Sequence, residues 1–207
     1  TLAAMGSNRF QGDNKYFFAH SVGGAWIISN ESFLKDMKAV NLLKMKASYG
    51  HLGYAGDTDF FLHRTNWKKG DKEEFKPSTG GNTTDLIRLG NPDLKWEYSN
   101  ELNIGIEGRF LNNRLSGEVN YFRELRKNII GINSAKYETI GGNFIPSENI
   151  GEVLNQGIDA CVNWNDKVGE DFTYNLGFNI TFTKNKLRKT NELNNIEDYR
   201  KSIGQPT

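Results

Sequence analysis

The sequence predicts an all-β protein whose antiparallel strands run up and down a single sheet, as part of a membrane-spanning barrel. Apolar and polar residues alternate over long segments, which is the pattern of a strand with one apolar face and one polar face. Short and long connections alternate along the chain. The composition includes 22 Gly and 12% aromatic residues. Glycine disfavours helix interiors and aromatic residues favour strands.

Charge and cysteine content exclude several functional classes. Lys and Arg total 26 and Asp and Glu total 25, so the formal net charge is only +1. A nucleic-acid partner is therefore not expected, because such proteins carry a basic excess. One cysteine cannot form an internal disulfide framework or a multi-cysteine zinc module. The mean hydropathy is −0.63, and no apolar run approaches the roughly 18 residues of a membrane-spanning helix.

The first two predicted strands cover residues 16–28 and 42–50, with a short helix between them. The second strand alternates apolar residues with lysine, serine and glycine from Leu43 to Gly50. The helix is predicted over residues 31–39, because Asn30 is a suitable N-cap and Glu31 suits the positive helix N-terminus. Its apolar face would consist of residues at helical spacing, namely Phe33, Leu34 and Met37.

The third and fourth predicted strands, 95–110 and 114–126, form a long hairpin. Alternation persists from Trp96 to Phe110, whereas ordinary strands contain about 5–6 residues. The segment Leu111–Asn113 predicts a short turn, because asparagine tolerates left-handed backbone angles.

The last two predicted strands cover residues 156–164 and 171–184. The final strand has the clearest alternation in the chain. Its apolar positions are Phe172, Tyr174, Leu176, Phe178, Ile180 and Phe182, and every residue between them is small or polar. A short polar link at 165–170 joins the two strands.

Connection lengths favour an outer-membrane barrel over other all-β folds. The links at 111–113 and 165–170 are short, whereas those at 51–95, 128–149 and 184–205 are long. In an up-and-down sheet the long links all lie at one end. This asymmetry is typical of outer-membrane barrels, which have short periplasmic turns and long external loops. A soluble β-sandwich also shows alternation and is the alternative, but its strands are expected to be shorter.

Several segments resemble the SusC/RagA-like TonB-linked (TonB-dependent) outer-membrane receptors and transporters. Five segments carry the resemblance in order along the chain: Lys44–Gly50 (KMKASYG), Asn91–Glu97 (NPDLKWE), Asn103–Gly117, Asn149–Gly157 and Ile203–Pro206 (IGQP). The resemblance implies a TonB-linked transporter that carries out no enzymatic reaction and needs no cofactor.

The resemblance also implies an architecture. Family members have a barrel of 22 strands, an N-terminal plug domain and a TonB box. Residues 1–207 then form one partial barrel domain, a C-terminal barrel segment with about six strands, without the plug, the TonB box and the remaining strands. Six strands are also too few to close around a polar interior, because the smallest spanning barrels have about eight.

The function implied is active import of glycans or peptides across the outer membrane of a Gram-negative bacterium. The implied partners are outer-membrane lipid, a SusD-like lipoprotein, the TonB complex (through regions outside this chain) and the glycan or peptide ligand. The alternatives are a TonB-dependent receptor for a small chelate or cofactor, and a passive porin-like barrel.

Candidate site residues follow from the alternation and from the loops. The polar parity predicts lumen-facing side chains at Glu97, Ser99, Glu101, Asn103, Glu107, Asn175 and Asn179. The apolar parity predicts lipid-facing side chains at Leu102, Ile104, Ile106, Phe178, Ile180 and Phe182. In the long link 51–95, exposed aromatic residues are candidates for ligand contact by stacking: Phe60, Phe61 and Trp67.

Catalytic and metal-binding motifs are not apparent in the sequence. His20, His51 and His63 do not have metal-ligand spacing. Ser48 and His51 could suggest a hydrolase pair, but no orienting acid is identifiable and no G-x-S-x-G motif is present. An enzymatic function is therefore not predicted.

Overall fold

The computed structural model describes residues 1–55, 59–74, 80–133, 145–169, 171–192 and 197–206. These residues form one seven-stranded sheet and a separate two-stranded hairpin. Every strand pairing is antiparallel, which confirms the predicted fold class. The strands among the described residues are β1 (Leu2–Gly6), β2 (Tyr16–Ile27), β3 (Val40–Tyr54), β4 (Asn66–Glu74), β5 (Gly80–Arg88), β6 (Glu97–Phe110), β7 (Leu115–Ile132), β8 (Ser147–Val168) and β9 (Phe172–Lys189).

The large sheet is open, with strand order β1-β2-β3-β6-β7-β8-β9. Strands that follow one another in the chain are neighbours, apart from the hairpin β4–β5 inserted between β3 and β6. Within the described residues β1 and β9 form the two edges. The outer side of β9 makes two backbone hydrogen bonds with the C-terminal segment: Leu187 N donates to Gln205 O and Gly204 N donates to Leu187 O.

The structure has seven strands in the sheet where the sequence predicts about six. The additional strand, β1, pairs with β2 from Leu2↔His20 to Gly6↔Tyr16. The sequence of β1 (LAAMG) contains no alternating polar residues, so its periodicity gives no signal. Several strands are also longer than predicted, because backbone pairing continues into polar segments such as Ser147–Asn149 of β8.

The helix predicted over residues 31–39 is wrong. The structure has a 3-10 turn at Ile28–Asn30 followed by turns. Phe33 and Met37 are exposed, so the described residues offer no surface that buries an apolar helical face, and short helices are marginal without such burial. Glu31 accepts a hydrogen bond from the Trp26 indole Nε1 at 2.8 Å.

The long link 51–95 contains the second sheet. Strands β4 and β5 pair from Asn66↔Arg88 to Glu74↔Gly80, with two register shifts. The sequence of β4 (NWKKGDKEE) is polar almost throughout, so apolar periodicity could not reveal this hairpin. Further short 3-10 segments lie at Gly12–Lys15 and Asp198–Arg200.

The two ends of the sheet have different connections, as predicted. Residues 111–114 join β6 to β7, and Leu111, Asn112 and Asn113 all have positive φ angles. Residues 169–171 join β8 to β9, with Gly169 at φ 68°. The connection from β2 to β3 lies at this same end, here called the short-turn end. The opposite end carries the long connections from β3 to β6 and from β7 to β8, and is called the long-loop end.

The compact core lies at the long-loop end. It consists of four buried side chains packed against Met5, Phe17, Ala55 and Ile130: Phe10, Leu62, Leu94 and Trp96. By contrast, apolar side chains along the middle of the sheet are exposed, including Phe178 (65%) and Phe182 (66%). Nothing in the described residues covers this apolar face, so the sandwich alternative is not supported. No described helix is both long and apolar enough to cross a bilayer.

Candidate functional site

The polar face of the sheet carries a cross-strand ion pair at its centre. Lys46 Nζ of β3 bonds to Glu118 Oε1 of β7, although β6 lies between these strands. The intervening residue is Gly105, which pairs with Lys46 on one side and with Asn120 on the other. Because Gly105 has no side chain, the lysine stem crosses β6 unobstructed.

Asn120 extends this network to the next strand. Its Nδ2 donates to Glu118 Oε1 at 2.8 Å and to Asp159 Oδ2 of β8 at 2.9 Å. Towards the short-turn end, Glu107 lies 3.7 Å from Lys44 Nζ and 3.5 Å from Arg109 Nη2. These contacts connect four adjacent strands through charged and polar side chains.

A depression of about 750 Å³ lies beside this network on the polar face. Glu101 and Glu124 stand directly opposite each other there. Ser99 Oγ donates to Glu101 Oε1 at 3.1 Å, and no described cation lies within 4 Å of either carboxylate. Like charges on directly paired positions repel each other, so this part of the wall suits contact with water.

The structure gives the predicted lumen-facing residues two different environments. Asn103, Asn175 and Asn179 are exposed, while Ser99, Glu101 and Glu107 are half-buried on the polar face. Asn175 bonds to Asn165 across the β8–β9 pair.

Glu97 differs from the other residues of this set, because it is only 4% exposed. Its Oε2 accepts from Arg126 Nη2 at 2.5 Å, and its Oε1 accepts from the Ile130 backbone N at 3.0 Å. The guanidinium of Arg126 also lies over the Tyr54 ring, 4.9 Å from its centroid. Glu97 therefore cross-links β6 to β7 near the long-loop end.

The predicted lipid-facing residues share the opposite, apolar face. Register pairs place Ile104 beside Ala47 and Tyr121, and Ile180 beside Ala160. Ile104, Ile106, Phe178, Ile180 and Phe182 are exposed, and Leu102 is half-buried. This face is apolar across six neighbouring strands.

The candidate ligand-contact aromatics lie at the long-loop end and are all exposed. The Phe60 ring packs under the Arg9 guanidinium at 4.5 Å, and the Phe61 ring under that of Arg64 at 5.5 Å. Arg88 Nη2 donates to the Phe61 carbonyl at 3.2 Å. Trp67 follows later in the chain, on β4. Its ring makes no contact with another ring among the described residues.

The segment Asn91–Glu97 anchors the long loops, a role that periodicity alone does not indicate. Leu94 and Trp96 are buried in the core, with the Trp96 ring 5.3 Å from that of Phe10. Asn149 Nδ2 donates to the carbonyls of Lys95 at 2.8 Å and Asn128 at 2.7 Å. Two of the segments that carry the sequence resemblance thus contact each other.

The histidines form no metal site. His63 is buried and its Nδ1 lies 3.0 Å from the Arg9 carbonyl. His51 Nδ1 lies 2.7 Å from Asn100 Oδ1, and its ring lies 5.1 Å from that of His20. In the part of the chain that the structure describes, no group of three or more His, Cys, Asp or Glu side chains could hold a metal ion.

Comparison with known proteins agrees with an open strip of barrel wall. The family described as "TonB dependent receptor-like, beta-barrel" matches residues 9–205. The chain belongs to this family. Proteins of the family lie in the outer membrane of Gram-negative bacteria.

Individual relatives of this TonB-dependent receptor chain carry the names of receptors and importers. The TonB-dependent receptor SusC of Bacteroides thetaiotaomicron is 33% identical over 195 residues, which cover 91% of this chain and 19% of SusC. The TonB-dependent receptor P3 of Formosa agariphila is 29% identical over 190 residues, which cover 91% of this chain and 18% of P3.

A solved structure supports the fold. The RagAB peptide importer in its open-open state superposes with a TM-score of 0.76 at 25% identity, over 88% of this chain and 19% of the importer chain. The chain therefore spans about a fifth of the length of the relatives that it matches.

Proposed function

We propose that this chain forms part of the barrel wall of an outer-membrane TonB-dependent importer of glycans or peptides. The observation that carries the proposal is an open antiparallel sheet with one exposed apolar face and one charged, hydrogen-bonded face. Water-filled outer-membrane barrels place the apolar face toward lipid and the polar face toward the lumen. The matches to SusC and to RagAB support the same function.

The dimensions of the apolar face support its assignment to lipid. On β9 the apolar parity runs unbroken from Phe172 to Phe182. Ten residue steps of about 3.4 Å give about 34 Å along the strand. With a tilt of about 40°, the apolar band is about 26 Å high, close to the roughly 25 Å of outer-membrane barrels. The lipid-facing set is therefore Leu102, Ile104, Ile106, Phe178, Ile180 and Phe182.

The side chains on the polar face would line the lumen, namely Ser99, Glu101, Asn103, Glu107, Asn175 and Asn179. Glu97 would join β6 to β7 near the outer rim of the wall. The Lys46–Glu118–Asn120–Asp159 network lies at mid-height and would present fixed charges to the interior. A plug domain, a TonB box and the remaining strands would belong to other parts of the protein.

Ligand capture would occur at the long-loop end, which the connection asymmetry assigns to the outside. Phe60, Phe61 and Trp67 are exposed there, and exposed rings can stack on sugar rings or on peptide side chains. The partner at this end would be a SusD-like lipoprotein, and the energy would come from the TonB complex. Such a barrel needs no catalytic group.

Uptake by the host bacterium tests this function. Cells with and without the protein that carries this chain are given labelled oligosaccharide or labelled peptide, in the presence or absence of functional TonB. We expect uptake of one of these ligands to require both the protein and TonB. Uptake that persists without TonB would indicate a porin. Uptake restricted to a small chelate would indicate the chelate receptor.

A further inference from the structure

A cleft at the long-loop end combines an aromatic ring with basic side chains. Two adjoining depressions, of about 410 Å³ and about 280 Å³, share Phe61 and Arg64 in their linings. The larger depression is also lined by Lys15, Asn8 and Gln11, and its volume lies within the range of small-molecule sites. We call these five residues the basic cleft.

Backbone contacts fix the positions of Phe61 and Arg64. The Phe61 carbonyl accepts hydrogen bonds from Arg64 N at 2.9 Å and from Arg88 Nη2 at 3.2 Å. The φ angle of Phe61 is 61°, in the left-handed region that bulky residues rarely adopt. Gly90 packs so closely that a Cβ atom added there would lie 2.3 Å from the Arg64 carbonyl carbon. Groups held in place in this way bind a ligand at a lower entropic cost.

The two cations of the basic cleft have no acidic partners. Arg64 and Lys15 are exposed, and no carboxylate among the described residues lies within 4 Å of either side chain. The neighbouring acid Asp59 lies 3.6 Å from Arg88. A concave site with one sign of charge attracts ligands of the opposite sign, so the basic cleft favours an anion.

The spacing of ring and charge indicates the kind of anion. The Arg64 guanidinium lies 5.5 Å from the centroid of the Phe61 ring, which is 49% exposed. A sugar acid carries its carboxylate directly on the ring, so a single residue can contact both side chains. Arginine binds carboxylates with two parallel hydrogen bonds. The amides of Asn8 and Gln11 both donate and accept hydrogen bonds, as sugar hydroxyls require. Acidic peptides, by contrast, carry their carboxylates on flexible chains without an attached ring.

We propose that the basic cleft makes the importer selective for acidic oligosaccharides, which contain uronic acid residues, over neutral ones. The proposal rests on the proposed function, because it requires glycan import and an outward-facing long-loop end. The carboxylate would bind between Arg64 and Lys15, and the sugar ring would stack on Phe61. Each charge-assisted contact should contribute about tenfold in affinity.

Binding to the full protein that carries this chain tests the selectivity. The purified protein is titrated by calorimetry with tetrasaccharides of galacturonic, glucuronic or mannuronic acid, and with the same tetrasaccharides after reduction of their carboxyl groups. We expect at least one acidic tetrasaccharide to bind about a hundredfold more tightly than its reduced form. The variant Lys15→Gln/Arg64→Gln should remove this difference and leave the affinity for the reduced form unchanged.

The matched control is Lys69→Gln/Lys95→Gln, which removes two exposed cations of the long-loop end that line neither depression. It should bind like the wild type, and heat-modifiability on gels confirms that each variant folds. Equal affinity for acidic and reduced tetrasaccharides, no binding of any acidic tetrasaccharide, equal losses in the two double variants, or tighter binding of tetraglutamate would overturn the proposal.

Uptake by cells separates this proposal from the proposed function. TonB-dependent uptake of neutral glycans or of peptides, without uptake of acidic tetrasaccharides, rejects only the selectivity of the basic cleft. If no glycan and no peptide enters in a TonB-dependent way, the proposed function is rejected as well.

Discussion

Lys46 of β3 reaches Glu118 of β7 across Gly105 of the intervening strand β6. A Cβ atom added at Gly105 would lie 2.7 Å from Lys46 Cε and 2.2 Å from Asn120 Oδ1. Contacts this short do not occur, so any side chain at Gly105 must displace both groups. The absence of a side chain at this position is thus a condition for the charge network of the polar face.

The first prediction concerns this contact. Gly105→Ala should displace Lys46 and Asn120 and destabilise the barrel by about 1 kcal/mol, because the displaced side chains lose their contacts with Glu118 and Asp159. Heat-modifiability of the full protein on gels should show unfolding at lower temperature. Gly24→Ala is the control, because no heavy atom lies within 4 Å of a Cβ atom built there. Equal loss in both variants would contradict the role given to Gly105.

The second prediction concerns the buried carboxylate. Arg126→Met leaves Glu97 without its cation while the glutamate stays buried. Breaking such a pair from one side costs roughly 3 kcal/mol. Urea unfolding from lipid vesicles should show this loss in the free energy of unfolding. The double variant Glu97→Gln/Arg126→Met should be the more stable of the two, since the charge is removed while an acceptor for Ile130 N remains. A double variant as unstable as Arg126→Met would argue against an uncompensated charge as the cause.

The third prediction separates the two faces of β9. Phe178→Arg places a charge at mid-height of the apolar face, and should destabilise the membrane-inserted protein by about 2–4 kcal/mol. Asn179→Arg, one residue along on the polar face, should cost much less. Folding into lipid vesicles measures both free energies. Similar losses for the two variants would refute the assignment of the faces.

The fourth prediction concerns ligand capture. Trp67 is 57% exposed on β4, and Trp67→Ala should reduce uptake at limiting ligand concentration about fivefold, as expected for a lost stacking contact of about 1 kcal/mol. The amount of folded protein in the outer membrane should not change. Ile87→Ala, an exposed apolar residue of the paired strand β5, is the control. Unchanged uptake with Trp67→Ala would remove this residue from the ligand site.

The sequence by itself determined the strand class and the two faces, because alternation is a property of each local segment of extended chain. From Trp96 to Phe110 and from Phe172 to Phe182 the parity alone separates apolar from polar side chains. The turn at Leu111–Asn113 was also predictable, since asparagine tolerates the left-handed backbone that the structure shows. The five segments with family resemblance indicated the fold family as well.

Only the tertiary structure decided which distant residues meet. The Lys46–Glu118 contact depends on two successive strand registers, and neither register is encoded in the segment around either residue. The burial of Glu97 depends on β7 supplying both Arg126 and the backbone of Ile130. The helix predicted at 31–39 failed for the same reason: its apolar face was visible locally, but the part of the chain that the structure describes does not bury Phe33 or Met37.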